Sequence, residues 1–316
     1  MQKNYNNILP WNDYSTYVKS IFGCRVQKIS VDAGFTCPNR DGTLSSEACI
    51  YCTNESFSPF YCNPKLSVSE QLNKGIAFFS PKYKTQKYLA YFQSYTNTYK
   101  DVKTLKKLYL EALSVDGVIG LVIATRPDCI DEKILTMLSE ISRDNYINIE
   151  FGAESTNDNT LNFINRSHSW QQTIDAVELT NKYGINSGLH IILGLPGETE
   201  NDFSDHAKKI STLPIKTLKI HQMQVLKGTK LESVFNNNPG IFFDLNLHNY
   251  KRIIINFLEL LNPEIIIERF TSESPKHLLI YPDWKGKKNF EISHIVAAEM
   301  KKLNSYQGRQ YNNGTV

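Results

Sequence analysis

The feature that most constrains the fold is a steady alternation of short apolar runs with amphipathic stretches, sustained over most of the chain. Arg25–Asp32 (RVQKISVD) alternates like a strand, and SVSEQLNKGIAFF after it carries a helical period with Ser67 or Ser69 as N-cap. The pairing recurs as strand Lys87–Ser94 with helix Val102–Ser114, strand Gly117–Ala124 with helix Asp131–Arg143, and strand Tyr146–Gly152 with helix Ser169–Tyr183. Strand Ile185–Leu193, helix Glu200–Thr212 and strand Thr217–Leu226 complete six strand steps. Helices between successive strands imply right-handed crossovers and a parallel sheet, either doubly wound or rolled into a full or partial barrel. In both, ligands sit beyond the carboxyl ends of the strands. Polar residues there become site candidates: Gln93, Tyr95 and Asn97; Thr125 and Arg126; Glu154; His190 with the GLPGE turn; Lys219, His221 and Lys227.

From Asp244 the pattern changes to a helix over Asp244–Leu261, a strand-like run IIIERF, a loop holding Pro275, Pro282 and Trp284, and a final helix near Ile292–Leu303. The chain thus divides into an N-terminal segment (1–24), an α/β core (25–243) and a C-terminal extension (244–316) expected to cover the barrel. The Asn-rich tail QYNNGTV is expected to be mobile.

The first strand delivers the chain to GFTCPNRDGTLSSEACIYC, where Cys37, Cys49 and Cys52 stand in the frame Cys-x11-Cys-x2-Cys. Pro38, Asn39, Asp41 and Gly42 form a turn-rich insert that can fold the chain back so that distant thiols converge. A four-iron cluster closed by protein takes four thiolates, so a set of three leaves one iron open for a non-protein ligand. The competing reading is zinc, which also favours a Cys-x2-Cys pair but wants a fourth protein ligand at matching spacing. Cys62 lies ten residues on without a second such pair. Unrelated free thiols are the remaining alternative, although short cysteine pairs in a reduced protein usually mean metal. Cys24, Cys62 and Cys129 read as small buried hydrophobes. Tyr51, between the last two cysteines, suits either plain packing or contact with a flat ligand ring.

Six cysteines in 316 residues are too sparse for a disulfide scaffold. The segment MQKNYNNILPWNDY lacks an apolar signal core, and no window reaches a membrane-spanning length of apolar residues. A cytoplasmic protein without a membrane partner is therefore expected. The net charge of +3 is weak evidence about partners. Lys285, Lys287 and Lys288, Lys301 and Lys302, and Arg309 gather late in the chain, as either a phosphate-gripping set or solvated surface. The absence of GxGxxG or GxxxxGK[ST] in the expected context argues against a dinucleotide fold or a P-loop nucleotidase.

The thiol frame, with an aromatic before its last cysteine on the first loop of a βα repeat, resembles the radical S-adenosylmethionine (SAM) superfamily. The spacing is wider than that superfamily's commonest Cys-x3-Cys-x2-Cys and is similar to the branch around the Elongator catalytic subunit. It is more closely similar to a bacterial family carrying GFTCPNRDGT, AYFQSYTNTY, TRPD, an NRSH-type segment and HIILGLPGET. These blocks run from Phe22 to Glu198, and weaker similarity continues through KIHQMQVLKGT and ERFTSESP. The resemblance implies a partial (β/α)6 TIM-like barrel with a C-terminal extension, a [4Fe–4S] cluster on Cys37, Cys49 and Cys52, and SAM chelating the fourth iron. One electron into such a cluster cleaves SAM to methionine and a 5′-deoxyadenosyl radical that abstracts hydrogen from substrate. A one-electron reductant such as flavodoxin or ferredoxin is implied as partner.

Similarity to the anaerobic coproporphyrinogen enzyme adds three positions. Glu154 stands where that relative has a glutamine contacting the SAM ribose. Arg166 matches an arginine that neutralises the SAM carboxylate, with a surface ion pair as the bland alternative. His190 replaces an aspartate and faces either cofactor or substrate, unless it is structural. Gln93, with Tyr95 and Asn97, occupies the place of the superfamily's GGE-like segment, which this chain lacks. Tyr95, Asn97, Arg126, Lys219 and His221 are the expected substrate side.

Members of the bacterial family resembled are associated with the tRNA wobble uridine, converting 5-carboxymethylaminomethyl-(2-thio)uridine to its 5-aminomethyl form. tRNA is therefore the expected substrate, with the C-terminal extension as a contacting surface. A second reading keeps the radical chemistry but directs it at a small molecule or protein side chain. The third is a non-catalytic, metal-stabilised RNA-binding module.

Overall fold

The computed structural model describes residues 9–53, 58–83 and 86–312, so Val316 and the three residues before it in the Asn-rich tail lie outside the described residues. In chain order the elements are α1 (Tyr14–Phe22), β1 (Arg25–Val31), α2 (Val68–Phe79), β2 (Gln86–Phe92), α3 (Val102–Leu113), β3 (Val118–Thr125), α4 (Glu132–Ile141) and β4 (Tyr146–Glu154). There follow α5 (Asp158–Phe163), α6 (Trp170–Lys182), β5 (Asn186–Leu193), α7 (Glu200–Ser211), β6 (Thr217–Gln222), β7 (Val225–Leu226) and α8 (Lys230–Asn237). The chain ends with α9 (Leu247–Leu260), β8 (Ile266–Arg269), β9 (Leu279–Tyr281) and α10 (Asn289–Lys302).

Seven strands form one parallel sheet in the order β1-β2-β3-β4-β5-β6-β8. The sheet curls into a half-barrel, so side chains from its two ends meet: Lys28 on β1 lies 2.5 Å from Glu268 on β8. The N-terminal segment spans the gap between those edges. Asp13 bridges Ile267 in parallel, and α1 then leads directly into β1. Outside the sheet the helices pack through one continuous core that includes Ile29, Leu72, Tyr109, Leu138, Val177 and Ile210, all nearly inaccessible to solvent. A smaller inner layer of Leu89, Tyr91 and Val122 fills the base of the lumen. Gly75 lets α2 lie close on β1, since a Cβ there would sit 2.4 Å from Ile29 Cγ2.

Local signals explain most helix starts. Ser67, not Ser69, caps α2 in a reciprocal box with Glu70, and Ser169 does the same for α6 with Gln172. Asp101 and Asp131 accept from backbone N–H groups in the first turns of α3 and α4. The C-terminal region departs from the expected division at 243. Its IIIERF run supplies β8, a seventh strand of the barrel sheet rather than part of a cover. The expected strand Thr217–Leu226 breaks after Gln222, and Val225–Leu226 turns aside to pair antiparallel with β9.

Candidate functional site

At the carboxyl end of the strands the half-barrel opens into a cavity of about 780 Å3. Cys37, Cys49 and Cys52 all line it. Two turns bring them together. The Cys37 carbonyl accepts from the backbone N–H of Arg40 and of Asp41, and Ala48 N donates to Asn39 O at 2.8 Å, which returns the chain to Cys49. Cys52 N then donates to Cys49 O at 3.0 Å. Asn39 ties this loop to the segment after α5, donating from Nδ2 to Asn165 O (2.6 Å) and towards Cys49 Sγ (3.4 Å), and accepting from Ser167 Oγ. Arg166 Nη1 reaches Cys49 Sγ at 3.7 Å and Arg40 Nη1 reaches Cys52 Sγ at 3.6 Å. These donors favour negative charge on sulfur, whereas burial and the neighbouring Cys49 push the Cys52 thiol up.

Arg166, Glu154 and His190 form the adjoining wall. Arg166 Nη2 donates to Gly152 O at 2.7 Å and lies 3.4 Å from Glu154 Oε1, while His190 Nδ1 lies 2.8 Å from Glu154 Oε2. Burial, the largest influence on Glu154, would raise its carboxyl. His190 and Arg166 outweigh it and hold the group at about 2. Glu154 reaches this position through a bulge and a left-handed backbone: Gly152 pairs with His190 but Glu154 with Ile191, and φ at Glu154 is 65°. A Cβ at 152 would stand 2.6 Å from Arg166 Nη2 and 2.7 Å from Glu154 Oε1, so a larger residue there would displace the two charged tips. Left-handed backbone also recurs nearby at Ala48, Tyr95, Asn165 and Ser167.

Below this wall lies a ring of charge that the sequence did not announce. Lys28 Nζ contacts Glu150 (2.6 Å) and Glu268, and Lys219 Nζ contacts Glu150 (2.6 Å), Glu268 (3.2 Å) and the Tyr91 hydroxyl (3.0 Å). Burial alone would raise Glu150, but Lys219 and Lys28 together hold it well below the usual carboxylate range. Lys219 is thus part of the floor. The signal was a charged residue at an inward-facing position of a buried strand, in RVQKISV and YINIEFG.

The other expected residues separate. Tyr51, Gln93 and Tyr95 line the cavity, Gln93 accepting from Ser30 Oγ at 3.0 Å and Tyr95 lying under Arg40. Asn97 is outside the lining; it donates from Nδ2 to Ala124 O at 2.8 Å and so finishes the end of β3. Arg126 lines the cavity, but two of its nitrogens grip Asp128, each at 2.8 Å, and Nη2 also supports the Arg166 carbonyl at 2.9 Å. His221 packs edge-on against His190, ring centroids 4.1 Å apart, and burial, Arg269 and His190 keep it neutral. Cys62 donates to Ser30 O at 3.2 Å, and burial with Asp32 pushes its thiol up to about 12, as suits a packed, protonated side chain.

The radical SAM superfamily matches residues 36–210, and the radical SAM C-terminal domain matches residues 215–302. The chain belongs to the radical SAM superfamily. It is 32% identical over 311 residues to YtqA of Bacillus subtilis (strain 168), covering 96% of each chain. A 116-residue stretch is 29% identical to the tRNA uridine(34) acetyltransferase of Methanocaldococcus infernus, covering 36% of this chain and 21% of that one. The solved archaeal Elp3 of Methanocaldococcus infernus shares the fold with a TM-score of 0.68 at 17% identity, over 89% of this chain. This chain spans 64% of that structure's length.

Membership implies a [4Fe–4S] cluster and SAM as cofactors. The residues present fit both. Three thiols border one cavity, with cationic and amide donors at the Cys49 and Cys52 sulfurs. Among the described residues no three His, Cys, Asp or Glu side chains lie close enough to share a single ion, whereas a four-iron cube takes its thiolates at separate corners. Arg166 Nε and Arg126 Nη1 are buried without a hydrogen-bond partner among the described residues, leaving donors for an anionic ligand. Among the described residues no helix is long and apolar enough to cross a membrane.

Proposed function

We propose that this chain is a radical SAM enzyme that modifies the tRNA wobble uridine, converting 5-carboxymethylaminomethyl-(2-thio)uridine to 5-aminomethyl-(2-thio)uridine. When bound, the cluster and SAM supply a carbon radical able to take hydrogen from an unactivated position. The chain's own residues bind, orient and shield. Cys37, Cys49 and Cys52 hold the cluster. Arg166 offers its free Nε–H to the SAM carboxylate, while Glu154, fixed as an anion by Arg166 and His190, accepts from ribose hydroxyls. Gln93 and Tyr51 close the same space around the amino group and adenine. Residues 25–243 with β8 carry the chemistry, and the remainder of the C-terminal region meets the RNA. Loss of a hydrogen atom from the glycine-derived methylene, then of one electron to a one-electron acceptor and of the N–H proton, would oxidise it to an imine, and water would hydrolyse that C=N bond to leave the aminomethyl group and release the two-carbon unit as an oxo acid.

The observation that carries an RNA substrate is the cavity rim. Ser272, Glu273 and Asn289 line the cavity, and the segment between them exposes Lys276, Lys285, Lys287 and Lys288. Lys227 is exposed beside it, its backbone donating to Leu278 O at 2.9 Å. Such a rim suits a phosphate backbone that presents an extruded base. Lys301, Lys302 and Arg309 do not join it. They follow α10 away from the cavity, where Arg309 pairs with Glu259 and Gln307 bonds to Asn262 O and Ile265 O, at the amino end of β8. The wobble position is supported by the stretch shared with the tRNA uridine(34) acetyltransferase and by the motif blocks.

The test is anaerobic incubation of reconstituted enzyme with tRNA bearing the carboxymethylaminomethyl group, SAM and a reductant. Nucleoside mass analysis is expected to show the aminomethyl product, with activity falling steeply as salt rises. SAM cleavage without that product would reject the tRNA assignment.

A further inference from the structure

Among the described residues, every Lys or Arg side chain lining the cavity except one meets a carboxylate or sulfur. Lys219 has Glu150, Arg126 has Asp128, Arg166 has Glu154, and Arg40 reaches Cys52. Arg269 lines the same cavity and, among the described residues, makes no hydrogen bond or ion pair; its Nε is buried and unpartnered. A guanidinium left this way costs stability unless a ligand completes it, because buried donors normally find acceptors.

Its position is built. On β8, Ile267 pairs with Leu218 but Arg269 pairs with Lys219, so Glu268 is an extra residue and the strand bulges. Simple alternation would send Arg269 to the face opposite Glu268. The bulge turns it to the cavity, while Glu268 still reaches Lys28 and Lys219 in the floor. The guanidinium acts on the His221 ring, and His221 Nε2 and His190 Nε2 are also buried without partners among the described residues. Three unfilled polar groups on β5, β6 and β8 therefore face a cavity whose β1 and β4 sides are occupied by the thiols and by Arg166 with Glu154.

We infer that Arg269 is a specificity-determining residue that receives a carboxylate on the substrate, with His221 and His190 bordering the same pole. The inference rests on the tRNA reading above, in which the carboxymethylamino group brings that carboxylate. A planar fork takes a carboxylate through two parallel bonds, and no neighbouring anion competes for it within ion-pair distance among the described residues. Lysine at the same place supplies charge without the fork.

The experiment uses reconstituted full-length enzyme and two anticodon stem–loop RNAs, one carrying 5-carboxymethylaminomethyluridine and the other its carboxamide. Binding is read by fluorescence anisotropy and turnover by nucleoside mass analysis. Wild type is expected to favour the carboxylate RNA by roughly 10- to 100-fold. Arg269→Gln should abolish that preference and Arg269→Lys restore part of it, with SAM affinity and thermal unfolding of both variants matching wild type. Because the side chain has no protein partner among the described residues, neither variant strands one. If Arg269→Gln instead weakens SAM binding, or if wild type treats both RNAs alike, the inference is overturned. An Arg269-dependent preference for the carboxylate RNA without aminomethyl product would uphold the carboxylate site while sinking the proposed reaction.

Discussion

The β1–β4 side of the cavity and the β5–β8 side differ in how far their polar groups are already linked to one another. On the first, most polar groups are linked to one another: Asn39 links Cys49 to Asn165, Arg166 joins Cys49, Gly152 and Glu154, and Arg126 grips Asp128 while supporting Arg166, although Arg166 Nε and Arg126 Nη1 stay unpartnered among the described residues. On the second, His190, His221 and Arg269 each keep a buried nitrogen unpartnered among the described residues. In the function proposed above, the first side would hold the cluster and SAM and the second would receive the substrate. The charge ring of Lys28, Glu150, Lys219 and Glu268 lies beneath both and fixes the strands that carry them.

Breaking the closed side should have the largest consequence. Cys49→Ala removes a thiol that no other side chain replaces, so iron retention and SAM cleavage are expected to vanish together in anaerobic preparations; retention of full iron would refute the three-thiol assignment. The floor comes next. Lys219→Met leaves Glu150 and Glu268 with Lys28 alone, and removing one partner of a buried ion set costs about 3–5 kcal/mol. Urea unfolding at constant m-value measures it, and a loss below about 1 kcal/mol would mean the ring is dispensable.

Proton linkage separates the two sides at smaller scale. Neutral His221 binds its proton more weakly folded than unfolded, so stability should begin to fall as pH drops below 6.5, and His221→Asn should flatten that slope. Glu154, held at about 2 against an ordinary 4.5, contributes fully above pH 4.5 and loses its contribution between there and about 2. Glu154→Gln should flatten only that lower window in pH-dependent unfolding. A common slope change for both variants would show that the sides are not independent. The smallest effect is expected from Cys62→Ala, which should leave iron content unchanged, since that thiol donates to Ser30 O and is held protonated.

The succession of short apolar runs such as KYLAYFQS, GVIGLVIA and YINIEFG with amphipathic stretches between them made the parallel sheet legible, because strands covered on both faces read as near-continuous apolar runs. The thiols were legible for a different reason: a turn-rich insert leaves few ways for Cys37 and Cys49 to lie apart. Bulges are not written in composition. The extra residues Ala153 and Glu268 re-aim Glu154 and Arg269 without altering the apolar pattern, so Arg269 went unnoticed. β8 was read as a strand yet assigned to a cover, since the long stretch from Gln222 to Ile266 hides its return to the sheet edge. The late lysines looked like one set because sequence proximity says nothing of which end of α10 each occupies.

The function proposed above depends first on three thiols holding a cluster whose remaining iron is open to SAM. Electron paramagnetic resonance of the reduced, reconstituted protein, recorded without and with SAM, addresses it directly. Wild type is expected to carry about four irons per chain and to give a signal whose g-values shift on adding SAM. A colourless protein containing zinc, or a cluster signal indifferent to SAM, would contradict it.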